Sequence, residues 1–198
     1  MLIGRKAPEF SAVGYYQEDI REFKLKDFMG KWIILCFYPG DFTFGCPTEL
    51  SSIALKYNEL SKLDAQVMTI SVDSPFSHKV WNEEELSKMI GNDMPFPMLS
   101  DPGGKIGALY NVYDDELGID LRGRFIIDPE GIIQSAEILT PYVGRNPEEL
   151  IRQLKAYRHH YITGEFTPSG WTEGEIAIKP STKIAGRVWK LWDPKNKG

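Results

Sequence analysis

Only two of the 198 residues are cysteine, Cys36 and Cys46, so no disulfide framework can staple this chain. That scarcity suits a reducing compartment. The opening, MLIGRKAPEF, lacks the apolar core of a secretory signal, and the expectation is a cytoplasmic protein. A basic excess is missing too: 23 Lys and Arg against 28 Asp and Glu leave a formal net charge of −5. Nucleic acids and acidic membrane surfaces want a positive face, so neither is expected as a partner. No window approaches the roughly 18 apolar residues that a membrane-spanning helix needs. The residue three after Cys46 is Glu49, which removes a C-x-x-C dithiol. His78, His159 and His160 do not have metal-ligand spacing with the cysteines. DPGGKIG (101–107) lacks the spacing of a P-loop. No metal and no cofactor are implied.

What is present is an ordinary globular composition, 42% hydrophobic and 26% charged. A chain of this length can bury roughly 70% of its unfolded surface, enough for a core without staples. KWIILCFY (31–38) is an almost continuous run of β-formers and reads as a strand covered on both faces. After a Pro-Gly-Asp turn, CPTELSSIALKYNEL sets Leu50, Ile53, Tyr57 and Leu60 on one helical stripe. QVMTISVD (66–73) is a second strand. SPFSHKVWNEEELSKMI suits a helix capped by Ser74 with Pro75 in its first turn. MPFPML, with two prolines, is expected to be an edge or irregular piece. RFIIDPEGIIQSAEI (124–138) is a hairpin turned by Asp128-Pro129-Glu130-Gly131. Asn146 and Pro147 then open a helix whose buried face is Leu150, Ile151, Leu154 and Tyr157, and Gly164 can stop it. This order implies an α/β fold, a central mixed β-sheet flanked by helices. No repeat or low-complexity segment interrupts it. Residues 1–164 are expected to form the main domain. Residues 165–198, punctuated by Gly and Pro yet carrying Trp171, Trp189 and Trp192, form a C-terminal arm that packs on its own domain or on a partner subunit.

Cys46 lies at a strand-to-helix junction, where ligands meet α/β sheets. A free cysteine, with a pKa of about 8.5, is only about 3% thiolate at pH 7. Helix-end N–H groups and a nearby guanidinium could supply the roughly 2.7 kcal/mol that a shift of about two units requires. Thr43, three residues earlier, can aim its hydroxyl at the sulfur or at a bound oxygen. The competing reading is a cysteine that fills space.

PGDFTFGC has the form P-x-x-x-T-x-x-C, and FYPGDFTFGCPTEL (37–50) resembles the active-site segment of the peroxiredoxins. It is most similar to the branch that holds the peroxidase component of alkyl hydroperoxide reductase and the typical two-cysteine enzymes. LRGRFIIDPEGII (121–133), VGRNPEELIRQLKA (143–156) and the opening IGRKAPEF resemble further segments of that family. The resemblance implies a thioredoxin-like fold and thiol-dependent reduction of hydrogen peroxide and small organic hydroperoxides. Carried over by position, Cys46 is the attacking thiolate that leaves as a sulfenic acid. Thr43 hydrogen-bonds the peroxide, Pro39 shields the sulfur from water, and Arg122 stabilises thiolate and developing charge. Glu49 and Arg145 brace the arrangement. The family also implies a homodimer exchanging C-terminal arms, arranged as a ring of five dimers.

The chain departs from that pattern at the resolving cysteine. GEFTPSGW (164–171) places Thr167 where typical members carry the second thiol, and threonine cannot close a disulfide. Cys36, inside a buried strand, reads as a small hydrophobe. The expectation is therefore a one-cysteine cycle in which an external thiol or thioredoxin-like reductant reduces Cys46. A peroxide sensor or holdase chaperone using the same thiol as a switch is the alternative.

Overall fold

The computed structural model describes residues 1–196. Along the chain run β1 (Ser11–Tyr16), β2 (Asp19–Lys24), β3 (Trp32–Phe37), α1 (Cys46–Leu55), α2 (Tyr57–Lys62), β4 (Ala65–Ser71), α3 (Pro75–Trp81) and α4 (Ser87–Ile90). There follow β5 (Met98–Ser100), α5 (Lys105–Leu109), β6 (Tyr113–Asp114), β7 (Ile119–Asp120), β8 (Arg122–Ile127), β9 (Ile133–Leu139) and α6 (Pro147–Thr163). They group into two compact units, Met1–Pro147 and the chain from Glu148 onward.

In the first unit seven strands make one mixed sheet in the order β2-β1-β5-β4-β3-β8-β9, and β6 and β7 pair separately. The expected mixed sheet with flanking helices is present. Its centre is β3, buried at every residue, parallel to β4 and antiparallel to β8. Leu35, Phe37, Met68, Ile70, Tyr110 and Phe125 fill the core around it. The Tyr110 ring meets Phe125 edge-on at 5.0 Å between centroids. The 128–131 turn forms as read: Gly131 N–H donates to the Asp128 carbonyl (2.9 Å), and Asp128 Oδ1 accepts from Glu130 and Ile132 N–H.

Three local readings change. The helix expected over 46–60 breaks at Lys56, which ends α1 and lets α2 begin on a new axis. The helix over 74–90 opens with the expected cap, Ser74 Oγ accepting from Ser77 N–H at 3.1 Å, but passes through a π-turn at Asn82–Leu86. There the Asn82 amide is buried, donating to Asp93 Oδ1 (2.8 Å) and accepting from Met94 N–H (3.0 Å). MPFPML is irregular through Pro97, one of its two expected readings, but its last residues enter β5, which lies between β1 and β4 and not at an edge. The prolines are tolerated because both precede the strand, and the Pro97 carbonyl still accepts from Thr69 N–H at 3.0 Å.

The β1–β2 hairpin escaped the sequence reading. Its register pairs Tyr16 with Asp19, leaving a two-residue turn of Gln17 and Glu18, with φ of 53° and 63°. That is the mirror-image turn normally announced by Asn-Gly. The double change Gln17→Asn, Glu18→Gly is expected to stabilise the protein by about 1 kcal/mol and to raise the thermal midpoint by about 2–4 °C in calorimetry. An unchanged or lowered midpoint would contradict the strain assigned to this turn.

In the second unit α6 has Leu150, Ile151 and Leu154 buried and Tyr157 half-buried, with Gly164 at φ 70° ending it. After it, Phe166 and Ile178 exchange two backbone hydrogen bonds (2.9 and 2.8 Å). The Trp171 indole donates to the Glu175 carbonyl, and Arg152 donates to the Trp171 carbonyl. No helix among the described residues is long and apolar enough to cross a membrane.

Candidate active site

Because β8 runs antiparallel to β3 with Cys36 opposite Arg124, the start of β8 lies at the end of β3. The chain leaves β3 at Phe37, forms a loop through Gly45 and enters α1 at Cys46. The topology thus delivers Arg122, first residue of β8, to the first residue of α1 across 76 positions of sequence.

Arg122 Nη1 donates to Cys46 Sγ at 3.5 Å. The same nitrogen is paired with Glu49 Oε2, and Arg122 Nε donates to the Pro141 carbonyl at 2.9 Å. Glu49 also accepts at Oε1 from Arg145 N–H (2.6 Å) and Arg145 Nε (2.9 Å). Arg145 is fixed further by the carbonyls of Gly123 (2.6 Å) and Phe37 (3.0 Å). Cys46 is 0% exposed, Arg122 and Glu49 each 3%, and Arg145 7%, so the cluster is shielded from water. Burial acts to raise the Glu49 carboxyl, but the hydrogen bonds and charge of Arg145, with Arg122, hold it below its usual range.

Cys46 is itself the first helical residue and Pro47 the second, with Gly45 as a cap that offers no side chain. A Cβ on Gly45 would lie 2.5 Å from Arg122 Nη2, so the guanidinium occupies the space a side chain would take. Sequence reading passed over that glycine; its position just before the cysteine was the available signal.

The Thr43 hydroxyl donates to the Gly40 carbonyl at 2.9 Å, which leaves its oxygen as an acceptor toward a peroxide O–H. Pro39 is buried. Thr167 lies half-buried in the second unit, next to Phe166. Cys36 is 0% exposed, and burial pushes its thiol up against the pull of Arg145 and Arg124. Its position is the buried one expected.

Residues that the reading missed hold the loop. Tyr38 OH donates to Asp41 Oδ1 (2.8 Å), and fully buried His78 sets Nδ1 2.9 Å from Asp41 Oδ2 and Nε2 3.1 Å from the Leu99 carbonyl. Burial, with the Asp41 carboxylate beside it, keeps the Tyr38 phenol well above its ordinary pKa, so it remains a donor. Asp73 Oδ2 accepts from Asp41 N–H at 2.9 Å. His78 carries no motif, and only the third dimension brings it under the loop. Among the described residues no group of three or more His, Cys, Asp or Glu could hold a metal ion.

Comparison with known proteins gives the family and the fold. The profile of the AhpC/TSA family matches residues 3–136. The selenocysteine-containing peroxiredoxin PrxU of Peptoclostridium acidaminophilum is 50% identical over 195 residues, covering 98% of this chain and 96% of that protein. Alkyl hydroperoxide reductase C of Amphibacillus xylanus is 39% identical over 189 residues, 94% of this chain and 99% of that one. Among solved structures, the reduced 2-Cys peroxiredoxin of Plasmodium vivax superposes with a TM-score of 0.89 at 31% identity, covering 95% and 98% of the two chains.

Glu49→Gln is expected to cost about 3–5 kcal/mol in urea unfolding at neutral pH, because two buried guanidinium groups lose their shared anion. With the folded carboxyl held low, the contribution of Glu49 is complete above the ordinary carboxylate range and is lost as pH falls through the depressed value. The stability gap between wild type and Glu49→Gln should therefore close on acidification. A gap that is constant with pH would refute the pairing.

Proposed function

The chain belongs to the AhpC/TSA family and is a thiol-dependent peroxidase; we propose that it reduces hydrogen peroxide and small organic hydroperoxides by direct attack of the Cys46 thiolate. The observation that carries this reading is Arg122 Nη1 at 3.5 Å from Cys46 Sγ, held there by Glu49 and the Pro141 carbonyl.

The thiolate attacks the terminal oxygen of the hydroperoxide in line with the O–O bond. An S–O bond forms as the O–O bond breaks, the alkoxide or hydroxide leaves and takes up a proton, and Cys46 becomes a sulfenic acid. Arg122 faces the charge as it passes from sulfur to oxygen, a preorganised donor in a water-poor site. Thr43 accepts from the peroxide O–H and orients it, so that the reacting pair is held rather than met by chance. Pro39 screens the sulfur, and Glu49 and Arg145 keep Arg122 in place. Cys46 is 0% exposed, so reaching the sulfur takes a local opening of the surrounding chain.

With Thr167 at the resolving position and Cys36 buried, an external thiol completes the cycle. It attacks the sulfenic sulfur to give a mixed disulfide and water, and a second thiol releases Cys46. The name of the PrxU relative marks it as a selenocysteine protein; this chain runs the corresponding chemistry on sulfur. We place the protein in the cytoplasm as a homodimer, grouped as five dimers, with residues 165–198 as the arm that packs on a partner. The arm supports this with an apolar groove of about 340 Å³ lined by Phe166, Ile178, Pro180, Ile184 and Val188.

One equivalent of peroxide should add one oxygen to the monomer in intact-mass spectra, with no interchain or Cys36-linked disulfide; either disulfide would overturn the one-cysteine cycle. With dithiothreitol the protein should turn over many times, whereas a sensor would oxidise once. Cys46→Ser should abolish turnover and Cys36→Ser should retain it. Thr43→Val is expected to lower the rate of Cys46 oxidation by about 10²-fold, as loss of one orienting polar group does elsewhere. A rate within twofold of wild type would remove Thr43 from the mechanism.

A further inference from the structure

Asp120 ends β7, two residues before Arg122, and its side chain is unlike any other acid of the first unit. It is 0% exposed, and among the described residues no donor reaches either carboxyl oxygen. Oδ1 lies over Gly107 of α5, where a Cβ would meet it at 2.0 Å. The same glycine donates its N–H to Asp101 Oδ2 at 2.8 Å, and Ile106 N–H donates to that oxygen at 2.7 Å. Two carboxyl groups thus converge on one glycine, one satisfied by backbone donors and one by none.

The elements packed around Asp120 do not compensate it. On α5 the one charged residue is Lys105, at the exposed start of the helix. β6 places Tyr113 opposite Asp120, and its Asp114 accepts instead from Glu116 and Leu117 N–H. Arg122 is engaged by Glu49 and the Pro141 carbonyl. A charge on Asp120 would therefore be buried, unpaired and next to a carboxylate, the costliest arrangement for an acid.

We propose that Asp120 is a proton-linked positioning residue for Arg122: neutral, it packs over Gly107 and seats β7; ionised, it repels Asp101 and loosens the strand that delivers the guanidinium to Cys46. The path is short. Leu121 N–H donates to the Val112 carbonyl and the Leu121 carbonyl accepts from Gly123 N–H, both at 2.8 Å, so a shift of β7 reaches β8 at its first residues. Burial, and after it Asp101, push the Asp120 carboxyl up to about 7, which puts the change at neutral pH. With the folded value raised, the stabilising contribution is complete below the ordinary carboxylate value and is lost as pH rises toward about 7. This is opposite in sign to Glu49. The effect on turnover rests on the peroxidase reading; the effects on stability and on thiol access do not.

The test compares wild type with Asp120→Asn, which keeps the shape and removes the proton, from about pH 5 to about pH 8. Thermal midpoints, Cys46 alkylation by iodoacetamide and peroxide consumption are each followed. The wild-type midpoint should fall relative to Asp120→Asn as pH rises, and the ratio of alkylation rates between the two proteins should change several-fold across neutrality. Parallel midpoint curves, or a ratio of alkylation rates that stays constant with pH, would overturn the proposal. If alkylation follows pH as expected while neither protein consumes peroxide, the peroxidase reading fails and the role of Asp120 stands. If Asp120→Asn does not fold, the wild-type Asp120 carboxyl is titrated by NMR. An ordinary acidic value there would overturn the proposal, and a value near neutrality would support it.

Discussion

One carboxylate, Glu49, holds two guanidinium groups among buried residues, and the rest of the candidate site's geometry follows from that pairing. Burying three charges is costly in itself, and such clusters contribute little net stability against an apolar replacement. What the cluster supplies is position. Arg122 cannot rotate away from Cys46 without leaving Glu49, the Pro141 carbonyl and the space above Gly45. Arg145 in turn ties Glu49 to the Phe37 and Gly123 carbonyls, and so to β3 and β8. The electrostatic elements of the site are thereby anchored to the most deeply buried strands of the sheet.

The loop that carries Thr43 is held differently. Its backbone is fixed from below by Asp73 and by the Tyr38–Asp41–His78 contacts, all short and mostly buried. The thiol and guanidinium are set by strand and helix ends, while the hydroxyl is set by a braced loop. The in-line attack proposed for Cys46 needs both kinds of support, because the angle of approach matters as much as the local field.

Much of this was legible in the sequence because the signals were local or dense. The apolar run at 31–38 marked β3, the Asp-Pro-Glu-Gly turn marked the β8–β9 hairpin, and Ser74-Pro75 marked a helix start. PGDFTFGC carried the family resemblance in eight adjacent residues. Other elements were silent for identifiable reasons. Gln17-Glu18 adopts a turn that its residue types do not advertise, and β5 is three residues long and hidden behind two prolines. The break at Lys56 and the π-turn at Asn82–Leu86 interrupt apolar stripes that are otherwise continuous.

By itself, then, the sequence determined the succession of the strongest elements from β3 to α6, the family resemblance around Cys46, and a chain whose only cysteines are Cys36 and Cys46. These depend on residue type and near-neighbour spacing. Only the tertiary structure decided that His78 lies under the loop, that Gly45 makes room for Arg122, and that Asp120 is stranded beside Asp101. Each of those depends on how strands far apart in the chain come into register, and on what burial does to a charge. Neither is written in any short stretch of residues.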